Sequence, residues 1–112
     1  MNAGRVCQIA SHPTPSWRTI LATGRPGVVA FEGAYHGLTL GALDTTWRQA
    51  FRAPFAARLP GTTAFARFGE AADVRRAARA CAAPVGAVLV EPIQGRGGER
   101  IPPRGFLAAL RE

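Results

Sequence analysis

Two short apolar runs stand out among the polar and small residues of the chain. The first, GVVAF, spans Gly27 to Phe31 and predicts a strand over Val28 to Phe31; the second predicts a strand over Val85 to Val90. Nearly continuous apolar runs of this length, bounded by turn residues, are typical of buried strands. A strand that is apolar on both faces, as the second one is, belongs inside a sheet that helices cover.

Helical spacing is clearest between these two strands. Residues Glu70 to Ala83 place apolar side chains on one stripe, with acidic residues in the first turn and arginines later, and Pro84 ends the pattern. Shorter helices are predicted within Leu38 to Leu43 and after Pro103. The segment Thr45 to Arg67 carries scattered aromatic residues, prolines and a glycine without a period, and predicts a long packed loop.

This order of elements predicts the fold class. A strand, a long connection with a helix, a second strand, a loop and a final helix indicate an α/β fold with a parallel sheet. Residues 1–22 differ, since SHPTPSW (Ser11 to Trp17) predicts an irregular N-terminal segment. The last helix has no glycine cap before Glu112, which indicates a chain that is cut short.

Composition fits one small domain or a piece of a larger one. The chain has 112 residues, a formal net charge of +7 and 14 basic residues, every one of them arginine. Arginine suits anion binding because its planar fork matches carboxylate and phosphate. However, these arginines are scattered, and alanine, glycine and proline are also abundant, so GC-rich coding explains the charge better than a dedicated anion site.

The cysteines and the hydropathy pattern predict a reduced, cytoplasmic setting. Cys7 and Cys81 lie far apart in the sequence, and residues 1–25 contain no sustained apolar run of the kind found in a signal peptide. No stretch reaches the length of a transmembrane helix. The spacing of cysteine and histidine matches no metal site.

Unusual residues follow both predicted strands, at the carboxyl ends where parallel sheets bind ligands. The first strand is followed by Gly33, Tyr35, His36 and Gly37, and the second by Glu91, Gln94 and several glycines. An aromatic ring and a carboxylate at neighbouring strand ends suit a flat ring with a positive nitrogen. Taken singly, they also fit a core-edge tyrosine, a solvated turn histidine and a capping glutamate.

Two blocks of sequence resemble one family. ATGRPGVVAFEGAYHGLTLGAL, followed by VGAVLVEPIQGRGGERIPPRGFLAALR, resembles the class III aminotransferases, which are pyridoxal-phosphate enzymes of fold type I. The resemblance covers about residues 22–112. It implies that residues 23–112 are part of the large, cofactor-binding domain of a homodimeric enzyme. Such an enzyme moves an amino group from an amine or amino acid to a 2-oxo acid.

The resemblance also implies roles for individual residues. In the family, the aromatic residue of the YHG motif stacks on the pyridine ring of pyridoxal 5′-phosphate, a role that falls on Tyr35, with His36 beside it in the pocket. The glutamate of the EPIQ motif, here Glu91, lies near the cofactor and its aspartate partner. These three are the predicted cofactor-binding residues; the sequence predicts no catalytic residue and no metal ligand within the chain.

The chain departs from the family pattern at three places. It has no lysine to attach the cofactor covalently, which predicts that the isolated chain is inactive. No phosphate-binding Ser-Gly-x-Glu loop precedes Thr23. Arg96 stands where many members have a second glutamate, which can pair with a substrate-gating arginine, so substrate choice does not carry over.

Two other classes of function stay open. The positive charge and one RGG triplet at residues 96–98 are compatible with nucleic-acid binding, although the arginines form no long cluster. A non-catalytic interaction module derived from the enzyme is the other possibility. It would need a stable fold despite open sheet edges.

Overall fold

The computed structural model describes residues 20–112. Of the segment predicted to be irregular, residues 1–19 lie outside the described part. The described elements are β1 (Gly27–Phe31), α1 (Leu40–Leu43), α2 (Gln49–Arg52), a 3₁₀ helix (Ala53–Arg58), β2 (Thr63–Ala66), α3 (Asp73–Ala80), β3 (Val85–Val88) and α4 (Phe106–Ala109).

The three described strands form one parallel sheet in the order β2-β1-β3. Val28 lies opposite Thr63 of β2 and opposite Ala87 of β3. All five residues of the central strand β1 are buried, as its continuous apolar run predicts. The predicted α/β class with a parallel sheet is confirmed.

Both predicted strands exist, and the second is shorter than its apolar run. β3 ends at Val88, although Leu89 and Val90 remain buried and the Leu89 amide still donates to the Val29 carbonyl at 2.8 Å. Apolar character therefore continues past the strand and into the start of the following loop. Within the described residues β3 pairs only with β1, so it lies at an edge of the described sheet.

The long helix is also shorter than predicted. α3 begins at Asp73, whose carboxylate accepts a hydrogen bond from the Arg67 amide at 2.8 Å and pairs with Arg76. These contacts hold the pKa of Asp73 well below its usual range, chiefly through the Arg76 hydrogen bond. Cys81 is already extended, so the helix ends at Ala80, four residues before Pro84.

The prediction of a long loop over Thr45 to Arg67 is wrong. This segment contains α2, the 3₁₀ helix and the strand β2. The four residues of β2, TAFA, form no apolar run, and only Ala66 is fully buried. This segment forms a strand because it pairs with the buried strand β1, an interaction that its own hydrophobic pattern does not reveal.

Three phenylalanines from distant parts of the chain meet in the core. Phe31, Phe68 and Phe106 contact one another edge to face, with ring centroids 5.5 to 6.1 Å apart. Each such pair contributes about 0.5–1.5 kcal/mol beyond the burial of its area. The cluster ties the end of β1 to the segment after β2 and to α4.

Candidate functional site

The loops that follow β1 and β3 approach each other closely, and glycine makes this approach possible. A Cβ atom on Gly33, which has φ of 84°, would lie 2.6 Å from Oε1 of Gln94. A Cβ atom on Gly97 would lie 2.7 Å from the same oxygen and from the Gly33 carbonyl. Larger residues at either position would push the two loops apart.

Gln94 fills the space between these glycines. Its side chain is 1% exposed, and its Nε2 donates to the Glu32 carbonyl at 2.9 Å. Its backbone exchanges two hydrogen bonds with Arg100, at 2.9 and 2.8 Å, which closes the glycine-rich loop into a hairpin-like turn. Gln94 therefore fixes the second loop against the end of β1.

The structure brings Tyr35 and Glu91 together. The Tyr35 amide donates to Oε1 of Glu91 at 2.6 Å, and the Gly95 amide lies 3.4 Å from Oε2. One carboxylate thus accepts from the backbone of both loops. The residues that follow the two parallel strands are therefore adjacent, and Glu91 contacts the backbone of Tyr35.

The ring of Tyr35 lines a cavity of about 490 Å³. The lining residues are Gly33, Ala34, Tyr35, Trp47, Arg48, Phe51, Arg96, Gly97 and Gly98. Tyr35 meets Phe51 edge to face at 6.1 Å, and the guanidinium carbon of Arg96 lies 4.9 Å from the centroid of the Tyr35 ring. The cavity combines aromatic walls, a glycine-rich rim and positive charge, a combination that suits a flat anionic ligand.

His36 lies beside Tyr35 in sequence and is not among the residues that line this cavity. Its amide donates to Thr46 Oγ1 at 3.0 Å, and that hydroxyl donates to the Gly37 carbonyl at 2.9 Å. The Nε2 atom of His36 is buried without a hydrogen-bond partner. Burial lowers the pKa of His36 to about 4, so the imidazole is neutral at pH 7.

Three lining residues come from the segment that sequence analysis assigned to a loop, and none was predicted to belong to a site. They are Trp47, Arg48 and Phe51. The available signal was the combination of two aromatic residues and an arginine within five positions. The pattern alone does not show that this segment faces the end of β1.

Buried polar residues hold that segment in place. Asp44 is 1% exposed and accepts hydrogen bonds from the Gly61 and Thr62 amides and from the Thr63 hydroxyl, at 2.9 to 3.3 Å. Arg52 lies 3.8 Å from Asp44 and donates to three backbone carbonyls between residues 43 and 46. The network joins the start of β2 to the segment that carries Trp47, Arg48 and Phe51.

A membrane-spanning helix and a metal-binding cluster are both absent from the described residues. Between residues 20 and 112, no helix is both long and apolar enough to cross a lipid bilayer. The same residues contain no group of three or more histidine, cysteine, aspartate or glutamate side chains placed to hold a metal ion.

Comparison with known proteins agrees with the fold class. A family model described as aminotransferase class-III matches residues 4–112, and the chain belongs to this family. The match therefore begins well before residue 22, where the resemblance noted from the two sequence blocks starts.

Individual relatives come from this family too. The chain is 46% identical over 90 residues to an acetylornithine aminotransferase of Methanopyrus kandleri, covering 80% of this chain and 22% of the relative. It is 39% identical over 92 residues to the acetylornithine aminotransferase of Methanosarcina mazei, with 82% and 22% covered. A putrescine aminotransferase of Pectobacterium atrosepticum is 42% identical over 91 residues, with 79% and 19% covered. The chain thus spans about a fifth of the length of these relatives.

Proposed function

We propose that this chain forms part of the cofactor-binding domain of a pyridoxal-phosphate-dependent aminotransferase. The complete enzyme moves an amino group from an amine or amino acid to a 2-oxo acid. Family membership supports the reaction class. The observation that carries the assignment of the site is the 2.6 Å hydrogen bond from the Tyr35 amide to Glu91, which joins the two loops at the cavity.

The cavity fits such a cofactor through its aromatic wall. Tyr35 offers its ring to the pyridine ring, which gains about 0.5–1.5 kcal/mol beyond burial from one good stacked contact. Glu91 positions the backbone of Tyr35, and the hydrogen bond from the His36 backbone amide to the Thr46 hydroxyl supports the turn behind it. When bound, the cofactor accepts the electron pair released at the amino carbon and carries the amino group between donor and acceptor.

The relatives indicate the range of amino donors. Their names specify acetylornithine and putrescine, both of which carry a primary amine. We propose an amino donor of the same broad class for the complete enzyme, which acts as a homodimer in the cytoplasm. The chain itself contains no lysine, so we propose that it does not catalyse transamination alone.

Noncovalent cofactor binding tests the site. Pyridoxamine 5′-phosphate is a suitable probe because it lacks the aldehyde that reacts with amines, and equilibrium dialysis measures its dissociation constant for the 112-residue chain. Removing one stacked ring costs about 1–3 kcal/mol. We therefore expect Tyr35→Ala to weaken binding about tenfold. Tyr35→Phe, which keeps the ring, should bind within about twofold of the parent chain.

Phe55→Ala is the matched control, because Phe55 is an exposed aromatic residue outside the cavity lining. Circular dichroism verifies that each variant is folded. If Tyr35→Ala binds the probe as tightly as Phe55→Ala does, the stacking role of Tyr35 is wrong.

A further inference from the structure

A second concave surface lies between α3 and the end of α4, apart from the cavity at Tyr35. This surface, here called the α3–α4 groove, encloses about 870 Å³. It shares no described lining residue with the cavity at Tyr35. A function of the groove is therefore separate from cofactor binding and transamination.

The floor of the α3–α4 groove is apolar and continuous with the core. Val74 and Leu110 are half-buried and pack against the core cluster that contains Phe31 and Phe106. The other apolar lining residues are alanines, at positions 71, 72, 80 and 109. Because alanine side chains are short, the backbone of another segment can approach α3 and α4 closely. An apolar side chain placed in the groove would extend the core outward.

Arginines of α3 border this floor. Arg75 and Arg79 are exposed and four positions apart, so they lie on one side of the helix, about 6 Å apart along its axis. Arg76 differs from them, because it pairs with Asp73 and donates to the Phe65 carbonyl at 3.1 Å. Within the described part of the chain, neither Arg75 nor Arg79 pairs with a carboxylate or donates a side-chain hydrogen bond. Their guanidinium donors are therefore free for a ligand.

The opposite side of the groove has a different charge. Glu112 follows α4 and is the one carboxylate among the described lining residues. The groove thus has a positive edge on α3 and a single negative group on the side of α4. A ligand with an acidic stripe would place that stripe along α3.

Charge selects among the possible occupants of the groove. Residues 1–19 of the chain include two arginines and no acidic residue, and a second copy of the chain has the same net charge of +7. The free arginines of α3 disfavour both. A nucleic acid supplies phosphates but no aliphatic side chains to cover Val74 and Leu110. A protein segment that combines acidic and aliphatic residues meets both requirements.

We propose that the α3–α4 groove binds an acidic amphipathic helix of a partner protein. Carboxylates four residues apart on such a helix are separated by about 6 Å along its axis, the same spacing as Arg75 and Arg79. Aliphatic side chains on the adjacent stripe then cover Val74, Leu110 and the alanines. A strand does not offer this, because its neighbouring residues point to opposite faces. The exposed ion pairs select the partner, while the apolar floor provides most of the affinity.

Three helical peptides of about 15 residues serve as probes. The first carries pairs of glutamates spaced four residues apart, beside a stripe of leucines in an alanine-rich background. The second has lysine in place of every glutamate, and the third has the residues of the first in an order that destroys both stripes. Each carries a fluorescein label, and fluorescence anisotropy in dilute buffer at neutral pH measures its binding to the 112-residue chain.

The acidic peptide should bind with a dissociation constant on the order of 10–100 μM, and the other two peptides about tenfold more weakly or worse. Arg75→Gln and Arg79→Gln should each weaken binding of the acidic peptide about threefold, and the double variant about tenfold, because each removes one exposed charge pair. Ala109→Gln leaves the charge unchanged and should also weaken it about threefold, since it places a polar amide on the floor.

NMR spectra of the 15N-labelled chain provide a second readout that locates the peptide. Saturating acidic peptide should shift the backbone amide signals of α3 and α4, and it should leave those around Tyr35 unchanged. Shifts confined to the cavity at Tyr35 would place the peptide elsewhere and overturn the proposal.

The matched control is the double variant Arg25→Gln, Arg58→Gln. It removes the same charge as the double variant in α3, but both residues are exposed and lie outside the groove lining. It should bind the acidic peptide within about twofold of the parent chain. The double variant Arg75→Glu, Arg79→Glu should bind the lysine peptide more tightly than the parent does, a gain that misfolding does not produce.

Each contrary outcome overturns the proposal. Absence of saturable binding of the acidic peptide in both readouts does so, as does equal weakening by the control variant or equal binding of the rearranged peptide. A labelled oligothymidylate that binds more tightly than the acidic peptide, through the same two arginines, would assign the groove to nucleic acid. Dimerisation in sedimentation that Arg75→Glu and Arg79→Glu abolish would assign it to a second copy. Because no readout involves the cofactor, these results do not depend on the proposed function.

Discussion

Tyr35 and His36 are adjacent in sequence and occupy different environments. The ring of Tyr35 lines the cavity, where Phe51 and Arg96 contact it. The imidazole of His36 has a buried Nε2 without a partner. A buried imidazole without an acceptor for its second proton is stable only in the neutral form. The two residues of one short motif therefore lie in separate surroundings, Tyr35 at the cavity and the His36 side chain in the interior of the fold.

The burial of His36 predicts a pH dependence of stability. Its pKa falls from 6.5 to about 4 in the folded chain, so the unfolded chain binds more protons between these values. The contribution of neutral His36 to stability is therefore fully present above pH 6.5 and is lost as the pH falls to 4. This loss lowers the free energy of unfolding by up to about 3 kcal/mol. Urea unfolding at pH 7 and pH 4 measures the loss.

His36→Gln is the comparison variant for this measurement, because glutamine cannot take up the proton. Contributions that the two proteins share cancel in this comparison. The free energy of unfolding should fall less for His36→Gln than for the parent chain. Identical losses in the two proteins would show that His36 does not cause the dependence.

At the scale of elements, the Asp44 network determines where the segment between α1 and β2 lies. Asp44 accepts from the backbone at the start of β2, while Arg52 binds carbonyls at the end of α1. No regular element of this segment is longer than six residues, so side-chain contacts replace a long helix or strand as its support. The position of Arg48 and Phe51 in the cavity depends on this network.

We expect Asp44→Ala to reduce the free energy of unfolding by about 3 kcal/mol, because removing one partner of a buried pair leaves the other uncompensated. Glu70→Ala, which breaks the exposed pair with Arg67, should change it by less than about 1 kcal/mol. Chemical denaturation of both variants measures the difference. Equal losses would mean that the Asp44 network is not important for stability.

The elements show which features can be predicted from sequence. β1 and β3 can be predicted from sequence, because the apolar runs that identify them as strands also cause their burial in the sheet. β2 does not, because its small residues are ordered by pairing with β1. The proximity of Tyr35 and Glu91 follows from neighbouring strand ends, whereas the contact between Arg96 and the Tyr35 ring depends on loop geometry that no local pattern encodes.

At the scale of the whole molecule, the chain belongs to the class III aminotransferase family. It spans about a fifth of the length of the relatives it matches. We expect no transamination by the 112-residue chain supplied with pyridoxal 5′-phosphate, an amine donor and 2-oxoglutarate. The physical reason is the lack of a lysine side chain to hold the cofactor covalently and to move protons at the amino carbon. A coupled glutamate assay measures turnover against a protein-free blank. Donor-dependent turnover above that blank would contradict the expectation.

The phenylalanine cluster also has a consequence for biosynthesis. Phe31 and Phe68 leave the ribosome before Phe106, which belongs to α4. Until Phe106 emerges, the other two rings lack the partner that completes their packing, and their apolar surface stays exposed to other nascent chains. The core therefore cannot close before Phe106 is synthesised, and chaperones that bind exposed aromatic segments can reach β1 until then.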